Sequence, residues 1–364
     1  KEPAEAAMRY SDKPLRDSLL KLSSAAARKD AILLFKRILT FMGEGSYDEK
    51  RRANLALQVL EVGFKEPELR DEIFCQLLKQ TTGNPSPMGE SRAWQLLYWC
   101  CGCFGPSKSF EEWLFKVIDE RAGPASSGPT RRAAHVCRRE LDAICARHIP
   151  GRLPPIEWLL GQMQSGVGSS LFRTPLEELM SRQDPALQLE VPLPLVWLTS
   201  AVSKANGKGT EGIFRVAAND AQINKLRYAL DTPGHLNYAE SLCKTDAHVS
   251  ACLLKQWLRE LPEPVIPGSL YEEALATAGD AKAALALVDG KLDALHKRVL
   301  YFLIKFLRTF LPPDVQAATK MGASNLATVF APTMLRAESQ DALDMLSKSQ
   351  TEADFVCTLI EHAT

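Results

Sequence analysis

The sequence predicts an all-α protein made of two helical bundles. Nearly every long segment repeats its apolar residues with the helical period. No pair of alternating strands around a tight turn appears anywhere. A small, uncharged stretch, "SGVGSS" (165–170), interrupts the 364 residues, a length that suits about two domains.

Taken in order, "DAILLFKRILTFM" (30–42) places Leu33, Leu34, Ile38, Phe41 and Met42 on one stripe. "NLALQVLEVGF" (54–64) and "LRDEIFCQLLKQT" (69–81) repeat the period, and "SRAWQLLYWCCGCF" (91–104) is apolar almost throughout, as a central helix requires. "GPASSGP" (123–129) reads as a loop, and "PGRLPPIEWLLGQMQ" (150–164) as a closing helix opened by Pro155. Residues 1–165 are therefore the first domain, 166–170 a linker and 171–364 the second. The second opens with "LFRTPLEELM", with Pro175 in its first turn, and later "KRVLYFLIKFLRTFL" (297–311) turns Leu300, Leu303, Leu307 and Phe310 to a core. No internal repeat is visible.

Composition narrows the function classes. The chain is 46% apolar and 24% charged with zero net charge, so no global charge points to nucleic acid. No apolar run reaches ~18 residues, the length a membrane helix needs, and no signal-peptide pattern opens the chain. The first residue is Lys1, which reads as a piece of a longer protein. The nine cysteines lack a disulfide framework; Cys75, Cys137, Cys145, Cys252 and Cys357 read as small core hydrophobes. "WCCGCF" (99–104) has no second cysteine pair at zinc-finger spacing. Free thiols suit a reducing compartment, cytoplasmic or nuclear. The six histidines form no nucleophilic or metal constellation.

One short stretch stands out. In "GTEGIFRVAA" (209–218) two glycines punctuate the chain, and Arg215 interrupts an apolar run. A helix would scatter Ile213, Phe214 and Val216 over different faces, so a bend is expected. Apolar anchors on either side can hold a long cation outward. An ordinary surface arginine is the plain alternative. In "ACLLKQWLREL" (251–261), Leu254, Leu258 and Leu261 share a face with Leu253 and Trp257 beside them. Lys255 and Arg259 stand one turn apart, a platform for an anionic partner or simply a solvated face. Pro262 and Pro264 stop this helix at Leu261. Asn325 opens a helical run that Pro332 limits, and its plain reading is an N-cap.

Four spaced blocks, "TPLEELM" (174–180), "GTEGIFRVAA", "DAHVSACLLKQWLRELPEPVIP" (246–267) and "KMGASNLATVFAPTMLR" (320–336), together resemble the RhoGAP domain. The resemblance implies a helical activator of Rho-family GTPases that is not a self-sufficient enzyme. It makes Arg215 the arginine finger, a catalytic arginine supplied in trans. Lys255, Arg259 and Asn325 become GTPase-binding residues, with Arg259 supporting the finger loop more than touching nucleotide. No cofactor of its own is implied, because GTP and magnesium belong to the GTPase. A guanidinium in trans is worth about 10³–10⁵ in rate, or roughly 4–7 kcal/mol. The family often reads "GIFRVSG", whereas Ala217 and Ala218 stand here, which removes a glycine's freedom at positive φ. Thr333 stands where some relatives carry Asn.

"ELRDEIFCQLLKQTTGNP" (68–85), "RAWQLLYWCCGCFGPS" (92–107) and "GRLPPIEWL" (151–159) resemble a MyTH4 domain, a helical bundle common beside FERM domains in unconventional myosin tails. A MyTH4 domain ahead of a RhoGAP domain is similar to the Vilse (CrossGAP) group, which favours Rac- and Cdc42-type GTPases. The implied role of the first domain is targeting or scaffolding through microtubules or a receptor tail, with recruitment to membrane or cytoskeleton. Its basic clusters, Lys50/Arg51/Arg52 and Arg131/Arg132 with Arg138/Arg139, are either partner surfaces or solvated helix faces. Asp71 and Glu72 are expected in structural roles, pairing with arginines or with a helix N-terminus. Two alternatives remain open beside the activator: a catalytically weak GTPase-binding adaptor, motivated by Ala217 and Ala218, and a cytoskeletal linker.

Overall fold

The computed structural model describes residues 7–43, 48–232, 236–243, 246–337 and 342–363. Every regular element among them is a helix, and the chain divides into two compact units, Lys1–Ser169 and Ser170–Thr364.

The first unit holds α1 (Ala25–Met42), α2 (Glu49–Lys65), α3 (Pro67–Gln80), α4 (Pro87–Cys103), α5 (Lys108–Ala122), α6 (Gly128–Leu141) and α7 (Ile156–Ser165). Their ends follow the local chemistry. Ser24 and Ser86 accept bonds from the first-turn amides of α1 and α4, and Ser127 does so for α6. Pro155 occupies the cap position before α7. α4 is the central helix, with residues 93–101 and 103 all buried and α1, α2, α3 and α6 packed around it. Trp99 meets Phe41 edge-on at 6.0 Å and Trp158 at 6.4 Å, so α4 carries the aromatic centre. Gly151 must be glycine, since a Cβ there would stand 1.8 Å from the Cys103 carbonyl oxygen.

Two expectations need correction here. Leu33 is 45% exposed, while Leu34, Phe35, Ile38, Phe41 and Met42 form the buried stripe of α1. At 100° per residue Leu33 lies roughly 140° round from Ile38, outside the arc that Leu34, Phe35, Ile38, Phe41 and Met42 cover. Asp71 and Glu72 do play structural roles, but their partners are not arginines. Glu72, fully buried, accepts from the Leu19 amide at 2.9 Å, the Leu20 amide at 2.7 Å and Gln76 Nε2 at 2.8 Å. Asp71 accepts from the Ser107 amide at 2.8 Å and the Ser107 hydroxyl at 2.6 Å. A buried carboxylate needs donors, and backbone amides supply them with little side-chain ordering.

The second unit holds α8 (Leu176–Arg182), α9 (Leu193–Lys204), α10 (Asp220–Leu230), α11 (Leu236–Cys243), α12 (Ala247–Glu260), α13 (Tyr271–Ala276), α14 (Ala281–Lys291), α15 (Ala294–Arg308), α16 (Pro313–Thr319), α17 (Ala323–Met334) and α18 (Ala342–His362). α12 is its keel. Leu253, Leu254, Trp257, Leu258 and Leu261 are at most 1% exposed, and α9, α10 and α17 pack on it. The Trp257 indole donates to the Leu171 carbonyl at 3.0 Å. Glu260 closes the helix with a buried ion network: Arg227 grips it bidentately at 2.9 and 2.7 Å, and Arg173 Nε stands 3.6 Å away. On α15, Leu300, Leu303 and Leu307 face the core, as does Phe310 just beyond the helix.

Candidate functional site

The segment 210–218, which follows a short 3-10 turn at Gly207–Gly209, is a compact bend anchored from both directions. Ile213 and Phe214 are fully buried, while Arg215 directly after them is exposed. Phe214 has φ +69, a left-handed conformation that costs an aromatic residue about 1–2 kcal/mol. Its ring holds it there, meeting Phe330 at 5.1 Å, Phe310 at 5.2 Å and Phe306 at 6.0 Å, all edge-on. Gly212 takes φ +66 and donates to the Thr319 carbonyl at 2.7 Å, tying the bend to the end of α16. The Arg215 and Val216 amides both bond back to the Gly212 carbonyl at 2.9 Å. The guanidinium lies over Gly212, its Nη2 3.7 Å from where a Cβ on that residue would stand. Among the described residues the Arg215 side chain has no hydrogen bond or ion pair.

The left-handed positions of this bend are Gly212 and Phe214; Ala217 and Ala218 are not among the positive-φ residues. The alanine that stands where the family often has glycine thus lies outside the positive-φ region, so the freedom a glycine would add there is not used.

Lys255 and Arg259 project from α12, one turn apart, but they do different things. Lys255 is half-buried and its ammonium donates to the Phe214 carbonyl, directly before Arg215. Burial lowers its pKa, and the neighbouring Arg259 charge adds to the effect. The Arg259 side chain is exposed and has no hydrogen bond or ion pair among the described residues. The loop support expected of Arg259 therefore comes from Lys255. Arg259 acts structurally through its backbone, whose carbonyl accepts from Arg336 Nη2 at 3.0 Å.

Asn325 is not an N-cap. Gly322 holds the cap position of α17 without a side-chain bond, and Asn325 sits three residues further on. Its amide donates to the Lys320 carbonyl at 3.2 Å, across the left-handed turn (φ +58) between α16 and α17. Lys320 follows Thr319, which receives the Gly212 amide, so Asn325 and the Arg215 bend brace the same turn. The structure thus brings Arg215, Lys255 and Asn325 into one hydrogen-bonded assembly, with Arg259 one turn along α12. Thr319, Lys320 and Phe330 complete it; Lys320 and Phe330 fall in the block 320–336 but are not singled out within it, and nothing in its local sequence marks Thr319. Pro332 does not end α17, which runs on to Met334, and Thr333 is buried with its hydroxyl on the Phe330 carbonyl at 2.7 Å.

Among the described residues no cluster of His, Cys, Asp and Glu could hold a metal ion. Cys100 and Cys101 are fully buried, and desolvation pushes both thiols well up. In the first unit the basic clusters are broken up. Arg52 is buried and donates to the Gly43 carbonyl at 2.8 Å. Arg138 bonds Asp119 at 3.1 Å and also Asp142, and stacks 4.0 Å over Phe115. Lys50, Arg131 and Arg132 remain exposed. No helix among the described residues is long and apolar enough to cross a membrane.

The Ser170–Thr364 unit thus presents an exposed arginine from a braced bend. Residues 192–339 match the RhoGAP domain and residues 56–156 the MyTH4 domain, so the chain carries a MyTH4 domain followed by a RhoGAP domain. It is 40% identical over 191 residues to GTPase activating protein homolog 2 of Dictyostelium discoideum, covering 52% of this chain and 21% of that protein. It is 32% identical over 185 residues to human Rho GTPase-activating protein 25, covering 49% of this chain and 28% of that one. The chain is also 38% identical over 133 residues to mouse unconventional myosin-VIIb, covering 35% of this chain and 6% of the myosin. The matched regions thus span less than a third of each of these relatives.

Proposed function

We propose that the Ser170–Thr364 unit accelerates GTP hydrolysis by a Rho-family GTPase, with Arg215 entering the GTPase's nucleotide site as an arginine finger. The observation that carries this is an exposed, unpartnered arginine directly after two fully buried residues. Hydrolysis spreads negative charge over the transferring phosphoryl group and leaving oxygen. A guanidinium can meet that charge with two parallel N–H donors and is always protonated. Arg215 lies free over Gly212, so it can swing outward without breaking a bond within its own domain. Lys255 holds the carbonyl before it, while Arg259 and Asn325 offer an exposed cation and amide to the GTPase surface. Magnesium, GTP and the attacking water are the partner's.

The similarity to the Vilse group makes Rac- and Cdc42-type GTPases the favoured substrates. The MyTH4 unit then serves as a targeting or scaffolding module for a cytoskeletal or receptor-tail partner in the cytoplasm, using Lys50, Arg131 and Arg132, whose charges stay exposed. The test is single-turnover GTP hydrolysis by Rac, Cdc42 and Rho with the wild-type chain and with Arg215→Ala. The expected result is acceleration by orders of magnitude for Rac or Cdc42, lost in the variant while GTP-state binding persists. Equal acceleration by Arg215→Ala would refute the finger. Binding without acceleration by the wild type would leave a GTPase-binding adaptor.

A further inference from the structure

The cations of the Ser170–Thr364 unit are not paired evenly. On most of its surface an acid stands beside a base: Arg182 meets Glu178 at 2.8 Å, Lys204 meets Glu240 at 3.7 Å and Lys348 meets Glu272 at 2.9 Å. Around the bend it is otherwise. Lys208 lies in the short turn that leads into the bend, and Lys320 directly follows Thr319, whose carbonyl receives the Gly212 amide. Both lysines are exposed, and neither side chain has a hydrogen bond or ion pair among the described residues. The turn at Gly207–Gly209 packs on α16, the helix that Lys320 ends, so both lysines belong to the frame that holds the bend. With Arg215, Lys255 and Arg259 they place five cations in and around it, against the exposed carboxylates of Glu211 and Asp220. The unit as a whole has the opposite sign, with 19 Lys and Arg against 23 Asp and Glu. A positive face is thus set on a negative body.

Lys208 and Lys320 tie down nothing within the fold through their side chains, yet their charge sits where a partner would arrive. In physiological salt that charge is felt over a Debye length of about 8 Å, so it acts before contact. A separated charge distribution also orients, because the acidic body is turned away from an acidic partner and the basic face toward it. We propose that Lys208 and Lys320 steer an acidic partner surface onto the bend, raising the rate of docking and not the lifetime of the complex. The inference rests on the proposed GTPase partner and adds the chemistry of its surface: carboxylates rim the nucleotide site that the bend enters. A GTPase with a neutral or basic rim is then the poorer substrate, even with the same finger.

The test is stopped-flow association of the full chain with Rac, Cdc42 and Rho, each carrying a fluorescent non-hydrolysable GTP analogue. For the preferred GTPase, kon should fall at least about tenfold between about 25 and 300 mM salt. At low salt Lys208→Glu should lower kon by about three- to tenfold. Lys320→Asn, which suits the positive φ of that residue, should lower it by about two- to threefold. In both variants koff should stay within about twofold of wild type. Lys282→Glu is the control. Lys282 on α14 is also exposed without a side-chain partner among the described residues, on a helix that packs against α13 and α18. Its reversal changes the net charge as Lys208→Glu does and should leave kon unaltered. An equal loss in Lys282→Glu would reduce the effect to net charge and overturn the proposal. So would a salt-independent kon, or a loss confined to koff. The assay needs no hydrolysis, so a wild-type chain that associates in this pattern without accelerating hydrolysis refutes the finger and keeps the steering face. Association with none of the three GTPases refutes both. Flotation on phosphatidylserine vesicles that Lys208→Glu abolishes, with kon unchanged, would assign the face to a membrane and overturn the proposal.

Discussion

Phe214 is the residue on which the geometry of the bend turns, and two substitutions there separate its two contributions. Phe214→Ala removes a fully buried ring with three edge-on partners. Such truncations cost about 3–5 kcal/mol, part of it the ring-pair energy of about 0.5–1.5 kcal/mol per pair. Alanine keeps the left-handed cost of about 1–2 kcal/mol, because the Gly212, Arg215 and Lys255 bonds still impose φ +69. Phe214→Gly loses the same ring but relieves that cost. Against this, glycine gives the unfolded chain about 0.5–1 kcal/mol of extra freedom. The relief is the larger of the two, so glycine should be the more stable variant by roughly 0.5–1 kcal/mol, the reverse of the usual order. Hydrogen exchange of α15 and α17 peptides against urea measures this in the full chain, reporting the second unit without assuming that both units unfold together. An alanine variant as stable as glycine would refute the imposed left-handed backbone. A loss below ~1 kcal/mol in both would refute the aromatic clamp.

Lys255→Met should lower the hydrolysis rate at saturating activator by about 10- to 150-fold, the value of a charged hydrogen bond of roughly 1.5–3 kcal/mol; an unchanged maximal rate in single-turnover assays would mean the Phe214 carbonyl needs no tether. Glu260→Ala strands the Arg227 and Arg173 charges in the interior and should destabilise the second unit by about 3–5 kcal/mol in the same exchange experiment. Cys100 and Cys101, with thiols raised by burial, should resist iodoacetamide at mildly alkaline pH in the native chain and react once it is unfolded, which mass spectrometry of the labelled peptides can check.

The helices were legible because each buries a stripe, and a stripe is a periodic signal in one dimension. α4 and α15 read off the sequence almost residue by residue. Leu33 misled because a leucine beside Leu34 widens the apparent stripe beyond what the neighbouring helices cover. The wiring around the candidate site was not legible. Arg215 stood out against two glycines and an apolar run. The left-handed backbone of Phe214 left no trace, since no local preference puts phenylalanine there; the bonds at Gly212, Arg215 and Lys255 impose it, and the distant Phe306, Phe310 and Phe330 clamp the ring. The same holds for Asn325, whose local preference pointed to a cap. Its amide instead braces the turn at Lys320, and the cap fell to Gly322. Lys255 and Arg259 are equivalent on a helical wheel, and only the tertiary position of the Phe214 carbonyl distinguishes them.

Under the proposed role of Arg215, the many ties of the bend follow from the size of what a finger can supply. Ordering the backbone costs about 1–2 kcal/mol per residue. Ten residues from 209 to 218, if loose in the free domain, would demand about 10–20 kcal/mol on engaging a partner. The whole stabilisation available from a guanidinium in trans is about 4–7 kcal/mol. A floppy loop carrying the same arginine would therefore lose more than it contributed. The Gly212–Thr319 bond, the Phe214 cluster and the Lys255 tether meet that ordering cost during folding. Only the Arg215 side chain is left to be fixed on binding, at about 2 kcal/mol of rotamer entropy, which leaves most of the electrostatic gain for the transition state. On this reading an exposed catalytic arginine and a buried, strained phenylalanine before it are one device, and neither is useful without the other.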